Sequence, residues 1–299
     1  LGGSEIHGNN GVIDDVAENE AEAMEMAKTF LSFMPSSIHY LPKKEITKDD
    51  PLRKDDFLLS IIPKNKRESY DMLPIIESVV DKNSFFELSK KYGLSVVTGL
   101  ARLNGFPIVV LANNPQVYGG GWTTNSCKKI IKIMDLAQVF HFPVLNFIDN
   151  PGFIIGKNAE KDGTIKYGAK ALAAIYQFKN PMCSIILRKV FGVAGAAHTN
   201  HMNFKFRFAW PSADTGSLPF EGGIEAAYKS EISQSKDPEK FIKDKYVKLN
   251  SLTSPFRTAE KFLLENVIDP RDTRKEACIW IRLAYKKLKT GSSSFGYRP

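Results

Sequence analysis

The sequence predicts an α/β protein with a layered core. Three observations point there. Residues 143–149 (PVLNFID) and 182–187 (MCSIIL) are apolar runs of strand length, and a helix-patterned stretch, 165–178, lies between them. Residues 94–103 and 106–112 are strand-like and meet at Asn104-Gly105, a strong hairpin signal. Residues 124–141 place Ile130, Ile131, Met134, Ala137 and Val139 along a long helical pattern. Strands alternating with helices imply a sheet covered by helices.

The elements follow in order. Residues 15–34 read as an amphipathic helix, with Ala23, Ala27, Phe30, Leu31 and Met34 on one stripe and Asp14 and Asp15 able to cap its start. Pro35 and Pro42 end it. Residues 35–72 mix prolines and charges with little periodicity and read as an irregular linker or surface excursion. Residues 74–91 look helical despite Asn83. After the hairpin, Asn113-Asn114-Pro115 closes the pair of strands. Residues 150–156 (NPGFIIG) form a loop, and 191–197 (FGVAGAA) a turn of small residues leading into a short helix. Phe204, Phe206, Phe208 and Trp210 alternate along a strand with one aromatic face. The tail reads as helices over about 225–232, 238–249, 257–265 and 271–289.

Composition excludes several classes. With 43% hydrophobic and 25% charged residues in 299, the chain is neither disordered nor fibrous, and it is long enough for a large core. No apolar run approaches the ~18 residues of a membrane span. Cys127, Cys183 and Cys278 form no CxxC and are expected to be small buried hydrophobes in an intracellular protein. Lys and Arg total 41 against 33 Asp and Glu, a net charge of +8, but no block of five basic residues occurs. A solvated basic surface is expected rather than a nucleic-acid site, with a nucleotide-bearing anionic ligand the next choice.

Conventional catalytic signatures are missing: no GxSxG, no Walker A loop, no HExxH. His198 and His201 stand at i, i+3, but no third ligand has a recognisable spacing, so no metal is predicted. Gly119-Gly120-Gly121 precedes a helix and could cradle a phosphate or be a flexible loop. Two loops follow buried strands and precede helices: 150–153 and 191–197. Their small residues permit close approach of a ligand to the main chain, and a helix beginning there offers unpaired N–H groups to a developing oxyanion. Tight helix–strand packing by small residues is the alternative, and from these residues alone it is the readier reading.

Taken in order, the motifs resemble a known family. They are Leu1-Gly2-Gly3, His7 and Gly11-Val12; Asp81 with Phe85-Phe86-Glu87; Gly99, Ala101-Arg102 and Asn104-Gly105; Asn114-Pro115; Phe147, Asp149, Pro151-Gly152-Phe153 and Gly156; Gly168-Ala169-Lys170; Arg188-Lys189, Gly192 and Ala194; Ala209-Trp210-Pro211; and Pro270 through Arg274. The set resembles the β-type carboxyltransferase of biotin-dependent acyl-CoA carboxylases, the group of the propionyl-CoA, methylcrotonyl-CoA and acetyl-CoA enzymes. Tyr167 stands where that family has His, and Gly192-Val193-Ala194 where it has Gly-Gly-Ala.

The resemblance implies a crotonase-like spiral of ββα units with a helical C-terminal extension. Residues 1–35 would end an N-terminal carboxyltransferase half, 36–69 would be a linker, and 70–299 a C-terminal crotonase-like domain. A longer chain is therefore expected. It further implies carboxyl transfer from N-carboxybiotin, carried by a partner protein, to the α-carbon of an acyl-CoA. The backbone of Gly192, Val193 and Ala194 would be the oxyanion hole for the biotin ureido group, whose nitrogen then serves as base. Pro151, Gly152, Phe153, Gly156, Gly195 and His198 would bind or shape substrate, His198 by packing rather than proton transfer. A dimer-based homo-oligomer, such as a hexamer, is implied, with a biotin carboxylase and biotin carboxyl carrier as partners, in the cytoplasm or a mitochondrial matrix. Alternatives are a biotin-dependent acyl-CoA decarboxylase subunit, a hydratase using a carboxylate such as Asp149, or a non-catalytic crotonase-like scaffold.

Overall fold

Two glycine-assisted turns and a run of apolar strands organise the chain, as seen in a computed structural model that describes residues 2–199, 202–217, 223–250 and 252–298. A short helix, α1 (Gly3–Asn9), precedes α2 (Glu20–Phe33). From there to α3 (Leu73–Val79) the chain is irregular apart from a single 3-10 turn, Asp56–Leu59. Strands β1 (Phe86–Leu88), β2 (Val96–Leu103) and β3 (Phe106–Asn113) form an antiparallel meander. The sequence then alternates: α4 (Thr124–Val139), β4 (Val144–Asn150), α5 (Lys157–Lys161), α6 (Thr164–Gln177), β5 (Met182–Phe191), α7 (Gly192–Ala196), β6 (Lys205–Ala209) and β7 (Asp214–Gly216). The tail holds α8 (Gly223–Ala227), α9 (Lys229–Gln234), α10 (Pro238–Asn250), α11 (Pro255–Glu260), β8 (Asn266–Val267) and α12 (Thr273–Tyr285).

One sheet runs β1-β2-β3-β4-β5-β6-β8, antiparallel up to β3 and parallel from β3 onward. The first half of β5 pairs with β6 and its last residues with β7. Each strand alternates, and both faces are apolar because both are covered. Ile108, Val110, Leu145, Phe147 and Ile185 join α3 and α12 in one core. Val109, Leu111, Val144 and Met182 join α4 and α6 in the other, with Phe33 of α2. The hairpin expected at Asn104-Gly105 forms, with Leu103 opposite Phe106 and positive φ at both turn residues, 51° and 79°.

Several expected elements differ. Helix α2 is capped by Asn19, whose Oδ1 accepts from Glu22 N at 2.9 Å, and not by Asp14 or Asp15. Those two aspartates instead meet Lys132 and Lys90. The buried stripe is rotated: Leu31 is exposed and Phe33 buried, under the Arg102 guanidinium. The helix expected over 74–91 stops at Val79, because Asp81 N donates to Arg102 O and draws the chain to the hairpin. Asn83 then turns with φ 58°, and Phe86–Leu88 become strand. The helix expected over 257–265 ends at Glu260. Phe262 is left-handed (φ 57°), and Glu265 N donates to Arg207 O to start β8. Residues 225–232 are two short helices rather than one, broken at Tyr228. Strand β5 runs four residues beyond the expected end, to Phe191. The aromatic residues in β6 and just outside its ends all join one core, with Phe208 and Trp210 buried and Phe204 and Phe206 packed against it.

Candidate active site

The two loops singled out in the sequence meet at the carboxyl ends of β4 and β5. Residues 118–122 and 150–156 are tied as a miniature ladder: Trp122 N donates to Gly152 O at 3.0 Å and Ile154 N to Trp122 O at 2.9 Å. The triple glycine is a packing turn rather than a flexible loop. Gly120 has φ 83°, its O accepts from Asn113 Nδ2 at 2.9 Å, and a Cβ there would lie 2.2 Å from Asp149 O. Phe153 rests edge-on to Trp122 and against Gly168, where a Cβ would come within 2.6 Å of its ring. Pro151 and Gly152 are half-buried, whereas Ile155 and Gly156 project into solvent, Ile155 at 86% exposure. A cleft of ≈ 390 Å³ lies against this loop, lined by Tyr118, Thr123, Ile154, Ile155, Gly156 and Lys157.

At the end of β5 the chain turns through Gly192, φ 63°, directly into α7. The first N–H groups of a helix have no partner within it. In α7 these belong to Gly192, Val193 and Ala194. Ala194 is fully buried while Val193 is 62% exposed. Gly195 lets the helix press onto β5: a Cβ there would be 2.8 Å from the Val190 carbonyl carbon.

Behind α7, His198 is 1% exposed. Its Nδ1 lies 3.0 Å from the Asn146 amide and its Nε2 2.8 Å from the Asn150 amide. Its ring packs on Trp122 with centroids 4.9 Å apart, and its carbonyl accepts from Ser184 Oγ at 2.5 Å. Burial, and secondarily the charge of Arg207, push its pKa down to about 3. His201 lies outside the described residues, so the i, i+3 pair is half seen. Among the described residues no three His, Cys, Asp or Glu side chains gather as a metal set would.

Asp149 was the nearest side-chain base in the sequence. It is fully buried and paired with Arg188, whose Nε and Nη2 lie 2.9 Å from Oδ2, while Lys189 N donates to Oδ1 at 3.0 Å. Both carboxylate oxygens are thus engaged, and none is left to take a proton from a substrate. Arg188 also donates to Glu68 O and stacks over Tyr70.

Sequence reasoning missed Asn146 and Asn150. The signal was present: they stand at i, i+4 in a strand, hence on one face, inside an otherwise apolar run. It also missed Lys129, buried under β1 and β2 with Nζ donating to Ser89 O and Val96 O, and held near pKa 8 by burial.

Among the described residues, the nearest carboxylate at this site, Asp149, is tied up in its ion pair, and the first-turn N–H groups of α7 stand beside it in the fold. A family described as carboxyl transferase domain matches residues 1–295, and the chain belongs to that family. The chain is 31% identical over 277 residues to the propionyl-CoA carboxylase beta chain of Roseobacter denitrificans, covering 92% of this chain and 54% of that one. It is 30% identical over 298 residues to the methylmalonyl-CoA carboxyltransferase 12S subunit of Propionibacterium freudenreichii, covering 97% and 56%. It therefore spans about half the length of the curated relatives it matches. A crystal structure of transcarboxylase 12S, described as a hexamer with methylmalonyl-coenzyme A and methylmalonic acid bound, superposes with a TM-score of 0.89 at 28% identity, over 99% of this chain and 58% of that one. The α/β crotonase-like architecture expected from the resemblance is thus the fold of this chain. No helix among the described residues is long and apolar enough to cross a membrane.

Proposed function

We propose that the chain is the biotin-handling half of a carboxyltransferase that moves a carboxyl group between N-carboxybiotin and the α-carbon of an acyl-CoA. The observation that carries this reading is the start of α7. Gly192 turns the chain with φ 63°, and the N–H groups of Val193 and Ala194, in the first turn of α7 and so without a partner inside the helix, follow at the end of β5. Two donors held by the sheet suit negative charge on a ureido oxygen and cost no reorganisation when it develops. Carboxybiotin, delivered on a partner, supplies the carboxyl group and, once that leaves, a nitrogen able to take the α-proton. The engagement of Asp149 by Arg188 and Lys189 agrees with a chemistry that needs no carboxylate base. Gly195 seats the helix, and Pro151, Gly152, Phe153 and Gly156 shape the facing wall, with His198 acting from behind.

The rest of the reading follows the same relatives. Exposed apolar side chains ring the loop: Tyr118, Ile155, Ile165 and Val193. They suit cover by a second copy in a dimer-based homo-oligomer, with the acyl-CoA site supplied by a first half preceding residue 36. The division at 35/36 and 69/70 belongs to this proposal, as do a biotin carboxyl carrier as transient partner and a cytoplasmic or mitochondrial-matrix location.

The test is biotin dependence. The native assembly is given free biotin and malonyl-CoA or methylmalonyl-CoA, and loss of the carboxyl group is followed with and without biotin. Biotin-dependent turnover is the expected result. Hydration of an enoyl-CoA without biotin, with no loss of the carboxyl group from malonyl-CoA, would favour a hydratase, and no turnover in either direction would favour a scaffold. A relative named methylmalonyl-CoA decarboxylase subunit alpha, from Veillonella parvula, is 29% identical, so both directions are assayed.

A further inference from the structure

The histidine behind α7 has its tautomer written into the backbone. Gly152 N donates to Asn150 Oδ1 at 2.8 Å. A main-chain N–H can only donate, so it settles which end of the Asn150 amide faces which way. The other end, Nδ2, is the atom 2.8 Å from His198 Nε2. Nδ2 can only donate, so Nε2 must accept and carries no hydrogen. The ring proton of neutral His198 therefore sits on Nδ1, 3.0 Å from the Asn146 amide. Asn146 must offer Oδ1 there. With Nδ2 turned to the ring instead, two donors would face each other and Oδ1 would be buried without a partner. In that orientation Nδ2 also donates to His198 O, but at 3.4 Å; turning the amide gives up this long bond and gives the Nδ1 proton an acceptor at 3.0 Å, and the closer contact decides.

The three side chains connect the two walls of the site. Asn146 and Asn150 stand on β4, and Asn150 accepts from the first loop amide beyond it, Gly152. His198 follows α7, and its carbonyl is tied to β5 through Ser184 Oγ. Its ring also packs on Trp122, the residue laddered to Gly152 and Ile154.

We propose that His198, as the neutral Nδ1–H tautomer, is a positioning residue that orients Asn150 and through it the Gly152 amide, and so registers loop 150–156 against α7. The value of that register rests on the carboxyltransferase reading; the tautomer and the coupling do not. Deep burial supports the neutral ring independently of the hydrogen bonds.

Two measurements on the full chain test this without assaying turnover. The first is long-range proton–nitrogen NMR on protein labelled with ¹⁵N-histidine. Wild type is expected to show His198 Nε2 unprotonated and Nδ1 protonated. Asn150→Asp keeps an acceptor for Gly152 N but replaces the donor facing Nε2, so Nε2 is expected to become protonated. The second is amide exchange at Gly152 in His198→Phe, which keeps a ring against Trp122 and removes both nitrogens. If Asn150 loses its anchor, that amide exchanges about tenfold faster, the scale of one hydrogen bond. A wild-type Nε2–H, an Nε2 still bare in Asn150→Asp, or unchanged Gly152 exchange in folded His198→Phe would each overturn the proposal. The wild-type spectrum decides even if both variants fail to fold. These outcomes are separate from biotin dependence: an active enzyme with the wrong tautomer refutes only this proposal, and an inactive one with the right tautomer only the carboxyltransferase reading.

Discussion

Trp210 Nε1 donates to Thr273 Oγ1 at 2.9 Å, joining the end of β6 to the start of α12 across 63 residues of sequence. Both side chains are fully buried. Thr273 passes the bond on to Pro270 O at 2.6 Å. Thr273→Val keeps the shape but leaves the indole N–H buried without an acceptor, which costs about 1–3 kcal/mol. Thr273→Ser keeps the acceptor and is expected to lose less than about 1 kcal/mol. Denaturant midpoints of the two variants check this. Equal losses would mean that the contact is packing alone.

Asp81 plays the same part at the same end of α12, through Arg274. One oxygen accepts from Asn104 N at 2.9 Å and Arg274 Nη2 at 2.8 Å, the other from Gly105 N at 2.7 Å. Removing one partner of a buried pair costs about 3–5 kcal/mol, because the other charge is stranded. Asp49 lies 3.3 Å from Arg274 and softens this, so Asp81→Ala is expected near the lower figure. Its second effect is local. Exchange at the Asn104 and Gly105 amides should rise well beyond that of neighbouring β3, and a uniform rise would refute the bracing role.

These contacts explain how far the sequence could be read. Asp81, Arg102, Asn104-Gly105, Trp210, Thr273 and Arg274 were among the motifs that carried the resemblance, and in the structure they brace the hairpin and dock α12. Motifs of that kind identify a fold well and a substrate poorly. The hairpin and the buried strands were legible because turn chemistry and apolar runs are local. The end of α3 was not, because it is set by Arg102 O, 21 positions downstream of Asp81. Nor was the burial of Phe33 in place of Leu31, which depends on Arg102 reaching back to the Ser32 carbonyl. At the site, the small residues of α7 were visible as a pattern, but the Asn146–His198–Asn150 relay spans 52 residues and has no local signature.

His198 also sets a pH dependence. Its folded pKa, about 3, lies below the ordinary 6.5. Above pH 6.5 neither state is protonated and the group contributes no slope. As pH falls below 6.5, the unfolded chain binds a proton that the folded chain refuses. Stability is then lost down to about pH 3, at up to about 1.4 kcal/mol per unit. At pH 5 the loss is roughly 2 kcal/mol. His198→Phe removes this component. Between pH 6.5 and 5 its stability should fall less steeply than wild type, and parallel slopes in urea titrations would show that His198 takes up a proton when folded.

The glycines at α7 separate space from backbone conformation. A Cβ at Gly195 meets the Val190 main chain at 2.8 Å, so Gly195→Ala must lift the helix from β5, at about 1–3 kcal/mol. A Cβ at Gly192 meets nothing closer than Ser217 O at 3.7 Å, and the cost there is the positive φ alone, about 1–2 kcal/mol. The two should differ in function more than in stability. Gly195→Ala moves the Val193 and Ala194 amides, so it is expected to lower kcat more than Gly192→Ala at matched stability. The reverse ranking would mean that the seat of α7 on β5 does not set the site.

The donor itself is tested at Ala194. Its N–H stands in the first turn of α7, where no carbonyl of the helix reaches it. Ala194→Pro deletes that hydrogen, and a first-turn proline can keep helical φ. Removing one oxyanion-hole donor typically lowers the rate by on the order of 10²–10³. Ala194→Gly keeps the N–H and loses only a buried methyl. In the native assembly, biotin-dependent decarboxylation should therefore fall by on the order of 10²–10³ for Ala194→Pro and far less for Ala194→Gly, with KM for acyl-CoA little changed in both. Circular dichroism and a denaturant midpoint verify that the proline variant is folded. A folded Ala194→Pro with near wild-type turnover would remove the backbone donor from the mechanism and require a side chain in its place.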